Sequence, residues 1–386
     1  MPAFDLTDDQ HAFVARVREI ARAELVPLAA ASSPGRVDRP LLAAMGGHGL
    51  LAELFAPPPG SASRGAAAFQ LCLLREALAA VSTEAETALA LQGLGGYPFM
   101  MFGTDQIIDR WRAPIETGTA VAAFALSEAE AGSDAGALQL LAEPDGDGWR
   151  LSGEKMWISN APEADVYSVF ARTTAGARAR GITAFVVPGD ADGLSGEHLK
   201  LLSPHPIGRL VFDGVRVGRD DVIGDVDGGF RVAMRTLDLF RPSVGAFAVG
   251  MAQAALDATI EYTTARQAFG GRLCDQQAVA HLIAEMATRL EASRLLVYAS
   301  AAAYDAGADH ADVSRRSAMA KLFATENAQF VVDAAVQLHG ARGLQQGHLL
   351  EHLYREVRAP RIYEGASEVQ RTIIGRALTR QPTKNG

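Results

Sequence analysis

Along the first third of the chain the apolar residues recur at the spacing of one helix face. Phe13, Val17, Ile20 and Ala21 share a stripe, and alanine is frequent from Leu6 to about Gly118, so a helical domain is expected over residues 1–118. The stretch "FAPPPGSASRG", Phe55 to Gly65, breaks that pattern, because its prolines forbid helix and its serines and glycines favour loop. From Ala120 to about Gly224 the texture shortens to "AVAAFAL", "WRLSGEKMWIS", "DVYSVFAR", "ITAFVVP" and "RLVFDGVRV", separated by turn clusters such as "PDGDGW". A compact antiparallel β-domain over 119–226 follows from those runs. After "GDVDGGF" the helical period returns and persists, giving a second helical part over 227–386. One of its helices carries Val279, Leu282, Ile283, Met286 and Leu290 on a single face, and another carries Met319, Leu322 and Phe323. The small residues of "SVGAFAVGMAQAALD" would let helix axes approach closely. Helices, then strands, then helices make an α+β protein with a β-domain inserted between two helical parts.

Composition narrows the function classes. With 386 residues, 48% of them hydrophobic, the chain can bury a sizeable core. A net charge of −9 argues against broad contact with a phosphate backbone, which needs a basic surface, so nucleic acid is an unexpected partner. The two cysteines, Cys72 and Cys274, lack C-x-x-C spacing, which points away from a disulfide framework or zinc site and towards a reducing cytoplasm. The start, "MPAFDLTDDQHAFVARVREI", lacks the basic and apolar regions of a signal peptide, and no stretch reads as the roughly 18 apolar residues of a membrane span.

Phosphate-loop, dinucleotide-loop, zinc-protease and nucleophile-elbow signatures are absent. "DGDG", Asp145 to Gly148, lacks the later glutamate of a calcium loop and reads as a hairpin turn, and the nine histidines show no metal-ligand spacing. Three stretches are odd as pure structure. "ALSEAEAGSD", Ala125 to Asp134, leaves a β-run for small residues whose hydroxyls and N–H groups suit a ligand's polar edge. "KMWISN", Lys155 to Asn160, sets a tryptophan beside a hydroxyl, suited to packing on a flat ring while bonding its rim. "RIYEGASEVQR", Arg361 to Arg371, places Glu364 between a tyrosine and a glycine.

Taken together these stretches resemble the acyl-CoA dehydrogenases from end to end. "FALSEAEAGSD" is similar to Y-x-x-T-E-P-x-A-G-S-D, "GEKMWISNAPEAD" to G-x-K-x-W-I-T-N-…-A-D, and "RQAFGGRL" to R-x-x-F-G-x-x-L. "QLHGARG" is similar to Q-x-x-G-G-x-G, and "YREVRAPRIYEGASEVQR" to Y-R-D-x-…-I-Y-E-G-T-S-E-I-Q-R. The resemblance implies a middle β-barrel or sandwich, a C-terminal four-helix bundle, FAD as cofactor and an acyl-CoA or acyl-carrier-protein thioester as substrate. Glu364 then matches the base that takes the α-proton while the β-hydride leaves for the flavin, and Arg241 an arginine that orders the site. Burial beside an apolar acyl chain would lift the glutamate above its ordinary value, about 4.3. Phe240 stands where some relatives carry the base, so Glu364 has no rival.

The same resemblance assigns Phe124, Leu126, Ser127, Trp157, Ser159, Ser367 and Glu368 to the cofactor. Arg266, Phe269, Gln337 and Gly340 match residues that reach the ADP half of a neighbouring subunit's FAD, implying a dimer or tetramer. Ser133, Tyr363, Gly365 and Asp238 fall to the substrate. An electron-transfer flavoprotein is the implied acceptor, and no membrane is involved. The chain departs from the family at Ala366, Ala341, Phe124 and Ala129, and more broadly at "FAPPPGSAS" and "LSPHPIGRLVF", which points to a compact, cyclic or aromatic acyl group or a carrier-bound one. An oxygen-using oxidase or monooxygenase on the same fold is the alternative; a nucleic-acid-binding relative conflicts with the acidic balance.

Overall fold

The structure is a computed structural model that describes residues 5–58 and 65–379. Pro59 to Arg64 of the expected proline-rich loop therefore lie outside the described residues. Among the described residues six α-helices come first: α1 (Asp8–Ile20), α2 (Val26–Ala31), α3 (Arg39–Gly47), α4 (Ala68–Ala79), α5 (Thr83–Phe102) and α6 (Asp105–Glu116). Polar caps set several starts: the Thr7 and Gln10 side chains bond each other's backbone N–H before α1, and Thr104 Oγ1 accepts from Ile107 N in α6. A sheet domain follows, with β1 (Ala122–Ala125), β2 (Leu141–Asp145), β3 (Gly148–Ser159), β4 (Val166–Arg172), β5 (Ile182–Pro188), β6 (Leu194–His198), β7 (Ile207–Val217) and β8 (Val222–Ile223). The C-terminal helices are α7 (Gly229–Ala265), α8 (Gln277–Asp305), α9 (His310–His339), α10 (Leu349–Glu356) and α11 (Ser367–Thr379), with a small hairpin, β9 (Gln267–Ala268) and β10 (Gly271–Arg272), after α7.

The described residues form two compact units. One draws on Met1–Ala21, Ala68–Thr83 and Asp238–Gly386. In it α8, α10 and α11 pack on α9, α4 on α8, and α1 on α4. A Cβ at Gly245 would sit 2.7 Å from Val297 and one at Gly250 2.6 Å from Glu76 O, so α7 meets its neighbours at backbone distance, as its small residues suggest. That closeness changes which side of α9 is buried. Its inner face is Ala320, Ala324, Ala328 and Val331 with Lys321 and Thr325, while Phe323 is exposed and Met319 and Leu322 are half-buried. The expected apolar face of α9 is thus corrected by a tight interior that admits little beyond alanine. In α8, Met286 and Leu290 are buried, but Val279, Leu282 and Ile283 are only half-buried.

The membrane reading also needs correction. By length and composition α7 would pass as a span, with mean hydropathy 1.3 over its most apolar 18 residues. That window is 72% buried inside the protein, as in a core helix.

The second unit draws on Arg22–Ala67 and Glu84–Leu237. Its sheet runs β6-β7-β3-β2-β4-β5-β8, with β1 beside β4. The ladders are antiparallel except at β4, which β1 joins in parallel and β2 touches in parallel at one pair. "DGDG" is the predicted tight turn, Asp145 pairing with Gly148 across it. β2 and β6 escape sequence reading because both are largely exposed and one contains a proline, so neither shows an apolar run. α5 lies close on β1: a Cβ at Gly95 would reach 2.4 Å from Ala123 N, and the buried Gln92 side chain bonds Ala120 O (2.5 Å) and Ala122 N (2.9 Å).

The loop after β1 is folded around one buried ion pair. Glu128 Oε1 accepts from Lys155 Nζ at 2.8 Å and from Leu140 N at 2.9 Å, Oε2 accepts from Gln139 N at 2.6 Å, and Lys155 Nζ also donates to Leu126 O at 2.9 Å. Burial brings Lys155 down to about 8, with Glu128 opposing the shift. Removing one partner strands the other charge. Glu128→Ala is expected to cost about 3–5 kcal/mol in thermal or urea unfolding, and Glu128→Ala with Lys155→Met to recover much of it. A double variant no more stable than the single one would contradict this account.

Candidate active site

In the second unit, the ends of β1 and β3 carry the first cluster. β3 contains one extra residue between the pairs Lys155–Leu210 and Ile158–Gly208, a bulge that leaves Trp157 at φ 57° and 48% exposed. Met156 N donates to Ser127 O at 3.0 Å, which brings Leu126 and Ser127 beside the bulge. Asn160, also left-handed at φ 63°, anchors the strand end by donating from Nδ2 to Ala122 O at 2.8 Å. Ser127 and Ser159 are half-buried, and neither hydroxyl bonds another described residue. An open indole face, two uncommitted hydroxyls and backbone edges fit a flat heteroaromatic ligand with a polar rim. Phe124 instead packs its ring on Phe170 at 4.9 Å between centroids, and Ser133 is exposed on the loop.

The second cluster lies in the first unit, at the turn before α11. Glu364 has φ 52° and Gly365 φ 94°. A glutamate in that region costs of order 1–3 kcal/mol, so the surroundings must hold it there. Arg241 Nε and Gln370 Nε2 donate to Glu364 O at 3.3 and 3.2 Å, and Lys321 Nζ and Gln370 Nε2 donate to Gly365 O at 2.7 and 2.8 Å. Arg241 and Asp238 form a buried ion pair at 3.2 Å. The Glu364 carboxylate is different: its Oε2 is out of reach of solvent and bonded to nothing among the described residues. Burial raises its pKa above the usual carboxylate range, and Arg75, Lys321 and Arg241 oppose that from a distance. Nor does its amide N–H donate to any described residue.

The structure thus gathers Glu364, Gly365, Arg241 and Asp238, with Tyr363 partly exposed beside them. Ser367 and Glu368 are spent locally: Ser367 Oγ donates to Glu326 at 2.5 Å and Glu368 pairs with Arg371 at 3.2 Å. Arg266 and Phe269 lie at the β9–β10 hairpin, where Phe269 is left-handed at φ 55° and 89% exposed. Gln337 and Gly340 sit exposed at the end of α9, which the stacked Tyr262 and His339 rings, 4.3 Å apart, tie to the end of α7 near that hairpin. Sequence reading missed Lys321, Gln370, Arg75 and the Glu128–Lys155 pair. For Lys321 a signal existed, a lysine within the alanine-rich "SAMAKLFATENA".

With this geometry in view, similarity to known proteins bears on it. Residues 7–119, 123–215 and 227–379 match the acyl-CoA dehydrogenase N-terminal, middle and C-terminal domains. A probable acyl-CoA dehydrogenase of Mycobacterium leprae is 36% identical over 381 residues, 98% of this chain and 97% of that protein. A caffeyl-CoA reductase–Etf complex subunit of Acetobacterium woodii is 37% identical over 317 residues, 81% of this chain and 82% of its own. Among solved structures, butyryl-CoA dehydrogenase from Megasphaera elsdenii matches with a TM-score of 0.90 and 32% identity, covering 98% of this chain and all of that one. PigA, solved with FAD and proline, matches at 0.88 and 26%, covering 97% and 98%. Three domain matches in order and relatives alike along most of their length place this chain in the acyl-CoA dehydrogenase family.

Proposed function

We propose that the protein dehydrogenates an acyl-CoA between Cα and Cβ, with Glu364 as the base. The observation that carries this is a buried carboxylate oxygen, without a partner, on a backbone held rigid from both of its carbonyls. An α-proton beside a thioester is weakly acidic, so its acceptor must be desolvated and negative charge on the carbonyl oxygen must be stabilised. Glu364 meets the first need through burial, and its own uncommitted N–H is suited to the second. FAD, when bound, supplies the acceptor for the β-hydride. Trp157, Leu126, Ser127 and Ser159 would hold its ring, as their open face and free hydroxyls suit, and Arg266, Phe269, Gln337 and Gly340 its ADP half in an oligomer. Electrons would pass to an electron-transfer flavoprotein, a role supported by the kinship to a subunit of an Etf complex.

The departure at "LSPHPIGRLVF", whose last six residues, Ile207 to Phe212, begin β7, supports a compact, cyclic or aromatic acyl group. Kinship to a caffeyl-CoA reductase subunit points the same way. Anaerobic bleaching of the flavin by butyryl-, octanoyl-, cyclohexane-1-carbonyl- and 3-arylpropionyl-CoA should rank octanoyl-CoA last; a clear preference for it would overturn the acyl assignment. Glu364→Gln should keep FAD and ligand but bleach slower by at least about 10²-fold, the scale of a lost general base. Retained bleaching would mean another base.

The raised pKa has a stability consequence with a definite sign. A carboxyl whose folded value lies above its unfolded one stabilises fully below the ordinary value, and that contribution is lost as pH rises through the folded value. Glu364→Gln should therefore unfold at a higher temperature than wild type at pH 8, with the gap closing towards pH 4. An equal gap at both pH values would show that Glu364 is not desolvated.

A further inference from the structure

Resting on the reading of Glu364 as the base, we propose that Lys321 and Gln370 are its positioning residues, holding the Glu364–Gly365 peptide in its left-handed turn while the Lys321 ammonium favours the carboxylate from a distance. Each carbonyl of that turn receives two side-chain donors. Glu364 O takes Arg241 Nε and Gln370 Nε2; Gly365 O takes Lys321 Nζ and Gln370 Nε2. Neither residue is explained by packing. Lys321 is fully buried on the alanine face of α9, where an apolar side chain would avoid the penalty of desolvating an ammonium. Gln370 is fully buried in α11, and its Oε1 bonds nothing among the described residues, so the amide is oriented by the two carbonyls at the expense of its own oxygen. The fit is tight, since a Cβ on Gly365 would lie 2.5 Å from Gln370 Nε2.

The charges around the base come from several elements. Arg75 lies on α4, Arg241 with its partner Asp238 on α7, Lys321 and Glu326 on α9, and Glu368 on α11. Arg75, Lys321 and Arg241 all favour the carboxylate; Arg241 is paired with Asp238, while Lys321 also feels Glu326 and Glu368. Burial brings Lys321 down to about 8, with Glu364 opposing that shift. Its ammonium is therefore retained at neutral pH by the same neighbours it holds.

The test is the rate of flavin bleaching, followed by stopped flow from pH 5.5 to 9 in the FAD-loaded enzyme, using whichever acyl-CoA of the panel reacts fastest. Lys321→Met should slow bleaching about 10- to 100-fold with little change in substrate affinity, as expected of a displaced base. Its acid limb should also move to higher pH, because a cation that favoured the carboxylate is gone. Gln370→Leu should slow bleaching without moving the limb, and Lys321→Arg should return the limb to its wild-type place. Should Lys321→Met not fold, Lys321→Gln carries the same expected shift. A wild-type rate and an unmoved acid limb in the Lys321 variant would overturn the proposal. Glu364→Gln run alongside separates the two ideas: bleaching retained there removes the base itself, whereas bleaching lost there but normal in the lysine variant removes only the positioning role.

Discussion

A general base for a weak carbon acid must be withdrawn from water without being given a partner that quenches it. In the role proposed for Glu364, its turn meets that constraint by separating two tasks that a surface carboxylate combines. Hydrogen-bond donors are aimed at the backbone carbonyls of Glu364 and Gly365, while the carboxylate oxygen Oε2 is left unbonded. Arg75, Lys321 and Arg241 favour its charged form through space, against the larger effect of burial. Geometry and charge meet in Lys321, whose ammonium both bonds Gly365 O and favours the carboxylate, whereas Gln370 fixes geometry alone.

The two clusters use one device twice. In the sheet domain a buried lysine, Lys155, donates to the carbonyl of Leu126 beside a left-handed Trp157; at the turn before α11 a buried lysine, Lys321, donates to the carbonyl of Gly365 beside a left-handed Glu364. In both, burial pulls the ammonium down to about 8 while a nearby carboxylate holds it up. A cation bonded to a carbonyl is a stiff way to fix a backbone that departs from the common regions of φ and ψ. Backbone strain and buried charge thus occur together at the places where a ligand would be held.

How much of this was legible in the chain follows from what each signal measures. Strands with continuous apolar runs, such as "DVYSVFAR" and "ITAFVVP", were readable because both faces are buried. The buried side of α9 was misread since periodicity weighs bulk, and here bulk lies outward while alanine fills the interior. Glu364 was reachable through its motif, yet its partners were not: Lys321 is 43 residues away and Arg241 123, and only folding brings them to the same two carbonyls. Glu128 and Lys155 stand in motifs that were read for hydroxyls and aromatic surface, and nothing in their spacing signals an ion pair across 27 residues.

α7 also bears on how the chain is made. Its glycine contacts face Glu76 and Ala79, which precede it in the sequence, but also Val297, Ala320 and Ala324, which follow it. As the chain leaves the ribosome, an apolar helix able to pass for a membrane span is complete before half of its cover exists. At about 5–20 residues per second the missing helices take several more seconds to appear. During that interval the most apolar segment of the protein stands partly uncovered, and its nascent form is the state most in need of protection from misdirected association.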